Sequence, residues 1–401
     1  MTAPHTLLSA RTQAMSESAT LAMAKKAREL AAQGVQVINL SLGEPDFQTP
    51  KHICEAAKKA IDEGYTKYPP VAGYADLRQA IAEKFARENQ IHCEAKHIVV
   101  STGAKQSLAN LFLALVDEGD EVVIFAPYWV SYVEMVRMAG GTPVILESDL
   151  ESGFKVSPDQ LAQALSPRTK AVLYSSPSNP TGAVYSRSEL EALAQVLEAH
   201  PQVLVIADEI YEHITFGERP FSMAAIPSMA ERVATVNGLS KGFSMTGWRL
   251  GYMAAPAWLA EACEKIQGQI TSGASSITQR AALAALQEDL TATYAMRDAY
   301  LRRRDLVISL CNAIEGIKTY VPDGAFYLFP EVDAFFGRRA GTYHIQNADD
   351  LCMYLLHEAH VSLVSGGAFG APKCLRISFA ASDEQIREAF ARIARALAQL
   401  Q

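Results

Sequence analysis

The sequence has little that would mark a membrane protein, a disulfide scaffold, a metal centre or a nucleic-acid binder. No apolar run approaches the roughly 18 residues that span a bilayer, and Met1 to Thr20 lack the uninterrupted apolar core of a secretion signal. Cysteine is sparse. Cys54, Cys93, Cys263, Cys311, Cys352 and Cys374 show no paired metal-type spacing, so reduced thiols in a cytoplasmic protein without a metal site are expected. Basic blocks are missing, and a formal charge of -8 argues against a general nucleic-acid binder. There is no internal repeat, low-complexity tract or long flexible linker, and no glycine pattern of a Walker or dinucleotide loop.

What remains is the composition of a soluble enzyme: 401 residues, 49% hydrophobic and 20% charged, enough for a sizeable core and two domains. From about residue 97 to 254 short β-rich runs alternate with amphipathic helices, which predicts an α/β fold with a mostly parallel central sheet. Strands are expected near His97 to Ser101, Glu121 to Ala126, Thr142 to Leu146, Ala171 to Ser176, Val203 to Asp208, Arg232 to Asn237 and Arg249 to Ala254. Leu108, Leu111, Phe112 and Leu115 repeat at helical spacing, and Ser186 to Glu189 is a capping box. Beyond Glu261 the pattern turns helical, and the run Arg302-Arg303-Arg304 reads as a solvated connecting helix. The tail mixes strands (Phe326 to Phe329, Val361 to Val364, Cys374 to Phe379) with helices near Ala348 to Glu358 and Asp383 to Leu400, a smaller α+β domain. A helix near Glu17 to Gln33 could join it. The expected division is residues 49–293 for the large domain, with 1–48 and 294–401 forming the small one.

In open parallel sheets ligands collect at the carboxyl ends of the strands. Four such ends carry candidates. Ser101 to Ser107 leaves a strand and opens a helix, offering free N–H groups and a dipole to a phosphate, although an ordinary turn would look the same. Ser176 to Gly182 is a stiff two-proline turn that presents Asn179. Asp208 and Tyr211 leave the end of an apolar strand together, where a buried carboxylate needs a cationic or N–H partner. The fourth end carries Lys241 and Arg249. Late in the chain, Arg376 sits between core residues, as a bound carboxylate or a structural ion pair would require. The chemistry that fits all of these is pyridoxal phosphate, which needs a lysine for a Schiff base, an acid beside its ring nitrogen and a phosphate anchor.

The motifs Ser41-Leu42-Gly43-Glu44-Pro45-Asp46-Phe47, Tyr68-Pro69-Pro70-Val71-Ala72-Gly73, Ser178-Asn179-Pro180-Thr181-Gly182, Asp208-Glu209-Ile210-Tyr211, Ser240-Lys241 and Trp248-Arg249-Leu250-Gly251-Tyr252 run over nearly the whole chain. On these the chain resembles the class I aminotransferases of pyridoxal-phosphate fold type I, particularly the bacterial aspartate aminotransferases. The resemblance implies that Lys241 attaches the cofactor and shuttles a proton, that Asp208 pairs with the pyridine N–H, and that Asn179 and Tyr211 bond the ring's phenolic oxygen. It implies that Trp129 stacks on the ring and that Gly103, Ala104, Lys105 and Arg249 hold the phosphate. Tyr68 would reach that phosphate from a neighbouring subunit, which implies a homodimer with shared sites. Arg376 would clamp the substrate α-carboxylate beside Gly43, and Lys105 would read the distal carboxylate of aspartate. Trp129 and Asn179 would also line the substrate.

The implied reaction is ping-pong transfer of the amino group of an L-amino acid, foremost L-aspartate, to 2-oxoglutarate. Ala104 and Glu17 stand where relatives often carry glycine and part of a lysine-proline pair, while Thr20 is kept. Aromatic, prephenate or broader specificity, a pyridoxal-phosphate lyase and a non-catalytic cofactor-binding regulator remain open at this point.

Overall fold

The computed structural model describes residues 7–401. Its centre is a seven-stranded sheet: β1 (Ile98–Ser101), β2 (Glu121–Phe125), β3 (Thr142–Leu146), β4 (Thr169–Ser175), β5 (Leu204–Asp208), β6 (Val233–Gly238) and β7 (Gly251–Ala254). Their order is β1-β7-β6-β5-β4-β2-β3. Only β7 runs antiparallel to its neighbours, so the sheet is mostly parallel as expected. Residues of β1, β2, β5 and β6 are buried throughout or nearly so, because helices cover both faces and every side chain meets a core. One face packs Val100, Val123, Val172 and Val205, the other Val99, Val122, Leu173 and Ile206.

A second core joins the N-terminal helix Ala19–Ala32, through Met23 and Ala27, to the C-terminal elements. Its sheet is small and antiparallel, with Leu375–Ser378 between Val364–Ser365 and Tyr327–Leu328. The strand Ile38–Asn39 pairs parallel with Val361–Ser362, which ties the segment carrying Ser41 and Gly43 to this lobe. The expected strand Val361 to Val364 is thus two short strands in different sheets.

Two other details correct the sequence reading. The helix expected over Ala348 to Glu358 changes pitch, with Ala348–Tyr354 followed by a π-turn over Leu355–Ala359. The arginine run is not uniformly solvated. Arg303, on the helix Thr291–Asn312, is buried and bonds Asp46 with both terminal nitrogens at 2.8 and 2.9 Å, and its Nε lies 3.4 Å from Asp383. Of three consecutive helical residues only one faces inward, and its acids come from distant parts of the chain. Among the described residues, no helix is long and apolar enough to cross a membrane.

Candidate active site

The carboxyl ends of β1, β4, β5 and β6 open into one cavity of about 430 Å³, which the small lobe closes. Lysine 241 enters it from the turn after β6. Its Nζ donates to Gly43 O at 2.6 Å, and burial, reinforced by Arg376, pushes the ammonium down to about 8. An amine there is neutral in a useful fraction near physiological pH.

Asp208 ends β5 inside the cavity wall. Burial pushes its carboxyl above the usual range, while Tyr132 Oη donates to Oδ2 at 2.6 Å and the Ile210 N–H to Oδ1 at 3.3 Å. Three residues on, Tyr211 shares a 2.6 Å hydrogen bond with Tyr327. Both phenols are buried, and desolvation keeps the Tyr211 hydroxyl protonated.

The helix Ala104–Leu115 begins at the end of β1, with Gly103 at φ 85° as its N-cap. A Cβ on Gly103 would lie 2.6 Å from Arg249 Nη2, so the guanidinium rests directly on the backbone. A Cβ on Gly251 would lie 2.1 Å from Ala104 N, so this approach requires glycine there as well. A helix N-terminus and a guanidinium brought together in this way form an anion cradle. Trp129 stands at the cavity wall, and Lys105 lies 4.7 Å from its ring centre. The Lys105 ammonium is lowered by desolvation and then by Arg249, and no carboxylate pairs with it among the described residues.

Arg376 is only 1% exposed. Its Nη1 donates to Asn179 Oδ1 at 2.9 Å and its Nη2 to Ser41 O at 2.6 Å, while Nε has no partner. No carboxylate neutralises it within the described chain, so the structural ion pair left open by the sequence is not formed. A buried guanidinium that lines a cavity without a carboxylate partner is a receptor for a carboxylate. Gly43 is required here, because a Cβ would overlap the Tyr327 hydroxyl at 2.3 Å.

The cavity therefore gathers Gly43, Ala104, Lys105, Trp129, Asn179, Asp208, Tyr211, Lys241, Arg249 and Arg376, with Gly103 behind Arg249. It does not gather Tyr68, which is 95% exposed and lies outside its own chain's cavity. Glu17 is exposed and does not line the cavity, whereas Thr20 does, with a buried hydroxyl that has no partner. Sequence reasoning missed Tyr132, Tyr327 and Glu44, which bonds Thr246 at the cavity mouth. Tyr132 lies three residues beyond Trp129 at the start of the helix Ser131–Met138, a position that carries no signal beyond ordinary core tyrosine.

Residues 35–393 match the family model described as aminotransferase class I and II. The chain belongs to that family. It is 48% identical over 379 residues to the aspartate/prephenate aminotransferase of Cereibacter sphaeroides, covering 94% of this chain and 95% of that one. The crystal structure of the aspartate aminotransferase from Rhizobium meliloti superimposes with a TM-score of 0.95 at 42% identity, covering 98% and 99% of the two chains. The aspartate aminotransferase of Thermus thermophilus with maleate gives 0.92 at 43% identity, covering 97% and 99%. The chain is thus an aminotransferase of fold type I that uses pyridoxal phosphate and acts on amino acids and 2-oxo acids. The residues present suit that group: a cradle for its phosphate at Gly103 and Arg249, a buried acid at Asp208 for a cationic nitrogen, and an amine of lowered pKa at Lys241.

Proposed function

We propose that this aminotransferase moves the amino group of L-aspartate to 2-oxoglutarate, giving oxaloacetate and L-glutamate in two half-reactions. The observation that carries the dicarboxylate assignment is Lys105, an ammonium at the cavity wall beside Trp129 with no acid partner of its own. Arg376, which lines the cavity without an acid of its own, binds the α-carboxylate, and Lys105 with Thr20 receives the second carboxylate. A substrate held at both ends has its α-hydrogen directed toward Lys241.

Pyridoxal phosphate, when bound, supplies a carbonyl that captures amines and a ring that withdraws electrons from the substrate α-carbon. Lys241 Nζ would hold the cofactor and, once free, would take the α-proton of the amino acid. Asp208 would hold a proton on the ring nitrogen, which would give its desolvated carboxylate a cationic partner. Tyr132 helps hold that carboxylate in its ionised form. Asn179 and Tyr211 would orient the ring oxygen, Trp129 would cover the ring face, and Arg249 with the amides of Ala104 and Lys105 would anchor the phosphate; the Gly103 N–H, expected to join them, is taken by Ser101 O at 2.8 Å.

The site is completed by a second copy of the chain, whose Tyr68 reaches the phosphate; the 95% exposure of this phenol supports that reading. Residues 49–293 then act as the cofactor-binding domain, and 1–48 with 294–401, of which 1–6 lie outside the described residues, as the lobe that carries Arg376. Sedimentation at micromolar concentration should give a dimer; a monomer with full activity would remove the shared site.

An amino-donor panel with 2-oxoglutarate as acceptor tests the substrate. L-aspartate should give the highest kcat/KM, and prephenate belongs in the acceptor series because relatives carry that name. Replacing Lys105 by methionine should lower kcat/KM for aspartate about 10- to 100-fold, the worth of a charge-assisted hydrogen bond, and change that for phenylalanine little. Equal losses for both donors would assign Lys105 to the cofactor alone.

A further inference from the structure

The six residues from Asp208 to His213 have two faces. Asp208 and Tyr211 point into the cavity, while Glu209, Glu212 and His213 turn away from it into a buried polar cluster that the transamination chemistry does not use. The cluster is completed by Lys84, Glu88 and Asn89. These come from the end of the helix Ala75–Lys84 and the π-turn Phe85–Asn89, whose wider pitch brings residues four and five positions beyond Lys84 onto its side. Lys84 is 0% exposed; its ammonium bonds Glu212, lies 2.8 Å from Asn89 Oδ1 and 4.0 Å from Glu88.

Glu88, Glu212 and His213 present donor atoms within 4.8 Å of one another, a spacing that could suit a metal ion. The Lys84 ammonium already bonds Glu212 there and stands close to Glu88, so the acids have their cation from the chain. Burial would raise both carboxyls, but bonds from His213 and the Lys84 charge hold Glu88 down at about 2, and Lys84 and His213 hold Glu212 below the usual range. A desolvated ion cluster of this kind adds little to stability over apolar packing, but it admits few arrangements.

What it fixes is visible at His213. The imidazole Nε2 bonds Glu88 Oε2 at 2.8 Å, which sets the plane of the ring. On its other side the ring lies against the two residues that follow Lys241. A Cβ on Gly242 would meet His213 Cβ at 2.9 Å and Nδ1 at 3.1 Å, and the Phe243 ring stands edge-on to the imidazole at 5.4 Å. The Lys241 turn has backbone bonds of 3.1 to 3.3 Å (Phe243 to Leu239, Ser244 to Lys241, Met245 to Ser240), and its far end is tied at Ser244 to Phe47 and Thr49. Directly beside Lys241, at Gly242, the nearest atoms are those of the His213 ring and its Cβ.

We propose that His213, clamped by Glu88, is a positioning residue that sets the place of Lys241 relative to Asp208 and Tyr211. The same short segment thereby carries the cofactor's acid and the wedge that aligns the cofactor's lysine. This rests on the reading of Lys241 as the attachment point. A displacement of about 1 Å at a reacting group can cost up to about a hundredfold in rate, so a modest relaxation of the turn is measurable.

The test compares His213→Leu, which fills the site without a donor, with His213→Gln, whose amide can reach Glu88. In the leucine variant kcat should fall about tenfold with KM for the amino donor nearly unchanged. The pH midpoint of the lysine-dependent cofactor absorption should also move. In the cofactor-free protein, backbone hydrogen exchange across residues 239–247 should quicken. Glutamine should restore all three toward the wild type. If His213→Leu folds poorly, Glu88→Gln weakens the same clamp more gently and should shift the midpoint in the same direction.

Unchanged exchange and an unchanged midpoint in folded variants would overturn the proposal, as would a loss of activity that only tracks the folded fraction. A wild-type protein without a lysine-dependent absorption band would instead overturn the role given to Lys241, so the two failures are distinguishable.

Discussion

Replacing Lys241 by alanine abolishes the lysine-dependent absorption of the bound cofactor and lowers transamination by about 10⁴-fold, the combined worth of a covalent anchor and a proton carrier. The protein should still fold and still bind the cofactor, because the Gly103–Arg249 cradle, Asp208 and Asn179 are untouched. Lys241 makes one hydrogen bond, to Gly43 O, whose loss is a small cost to stability. The pH dependence follows from the lowered ammonium. With its pKa brought from 10.5 to about 8, the neutral form of the amine rises roughly tenfold per unit as pH climbs toward 8 and levels off above it. The rate at which cofactor-free protein captures pyridoxal phosphate should follow that curve in the wild type and lose it in the alanine variant. Stopped-flow absorbance between pH 6 and 9 measures both.

Arg376→Leu should weaken the amino donor about 10³-fold in kcat/KM, in line with the roughly 3–5 kcal/mol lost when one partner of a buried ion pair is removed. Cofactor affinity should change little. The guanidinium touches Asn179 and Ser41 but no acid, so its removal leaves no buried carboxylate stranded. This makes the substitution an unusually selective one: the uncompensated charge belongs to the arginine itself, and the unfilled place is the substrate's. A second effect has a definite sign. Arg376 is among the groups that lower Lys241, so deleting it favours the protonated amine and moves the capture profile to higher pH. Parallel loss of donor and cofactor would make Arg376 structural, contrary to its lack of an acid partner among the described residues.

The central sheet was legible because its strands are short apolar runs, and four of them carry candidate residues at or just past the end. Asp208 after Leu204–Ala207 and Asn179 after the strand ending at Ser175 are read from chain order alone. The small lobe was legible in outline, but Val361 to Val364 splits between sheets because its neighbours, Ile38–Asn39 and Leu375–Ser378, come from distant segments. Residues whose meaning depends on such partners stayed hidden. Arg303 reads as one of three solvated arginines until Asp46 is brought beside it. Lys84 reads as a helix-surface charge until the segment after β5 delivers Glu212. Tyr132 and Tyr327 are core tyrosines by pattern and join the cavity only through their hydrogen bonds to Asp208 and Tyr211. Tyr68 is the converse case, named from a motif and left on the surface of its own chain.

The most direct test mixes cofactor-loaded protein with a molar excess of L-aspartate and no 2-oxo-acid acceptor, following cofactor absorbance and released products through the single half-reaction that each site can complete. The account predicts one oxaloacetate per active site, loss of the lysine-dependent band, retention of the amino group on the protein-bound cofactor, and return of the band when 2-oxoglutarate is added. Alanine with carbon dioxide in place of oxaloacetate would mean a lyase, and an unchanged spectrum would contradict the assignment of aspartate to this site.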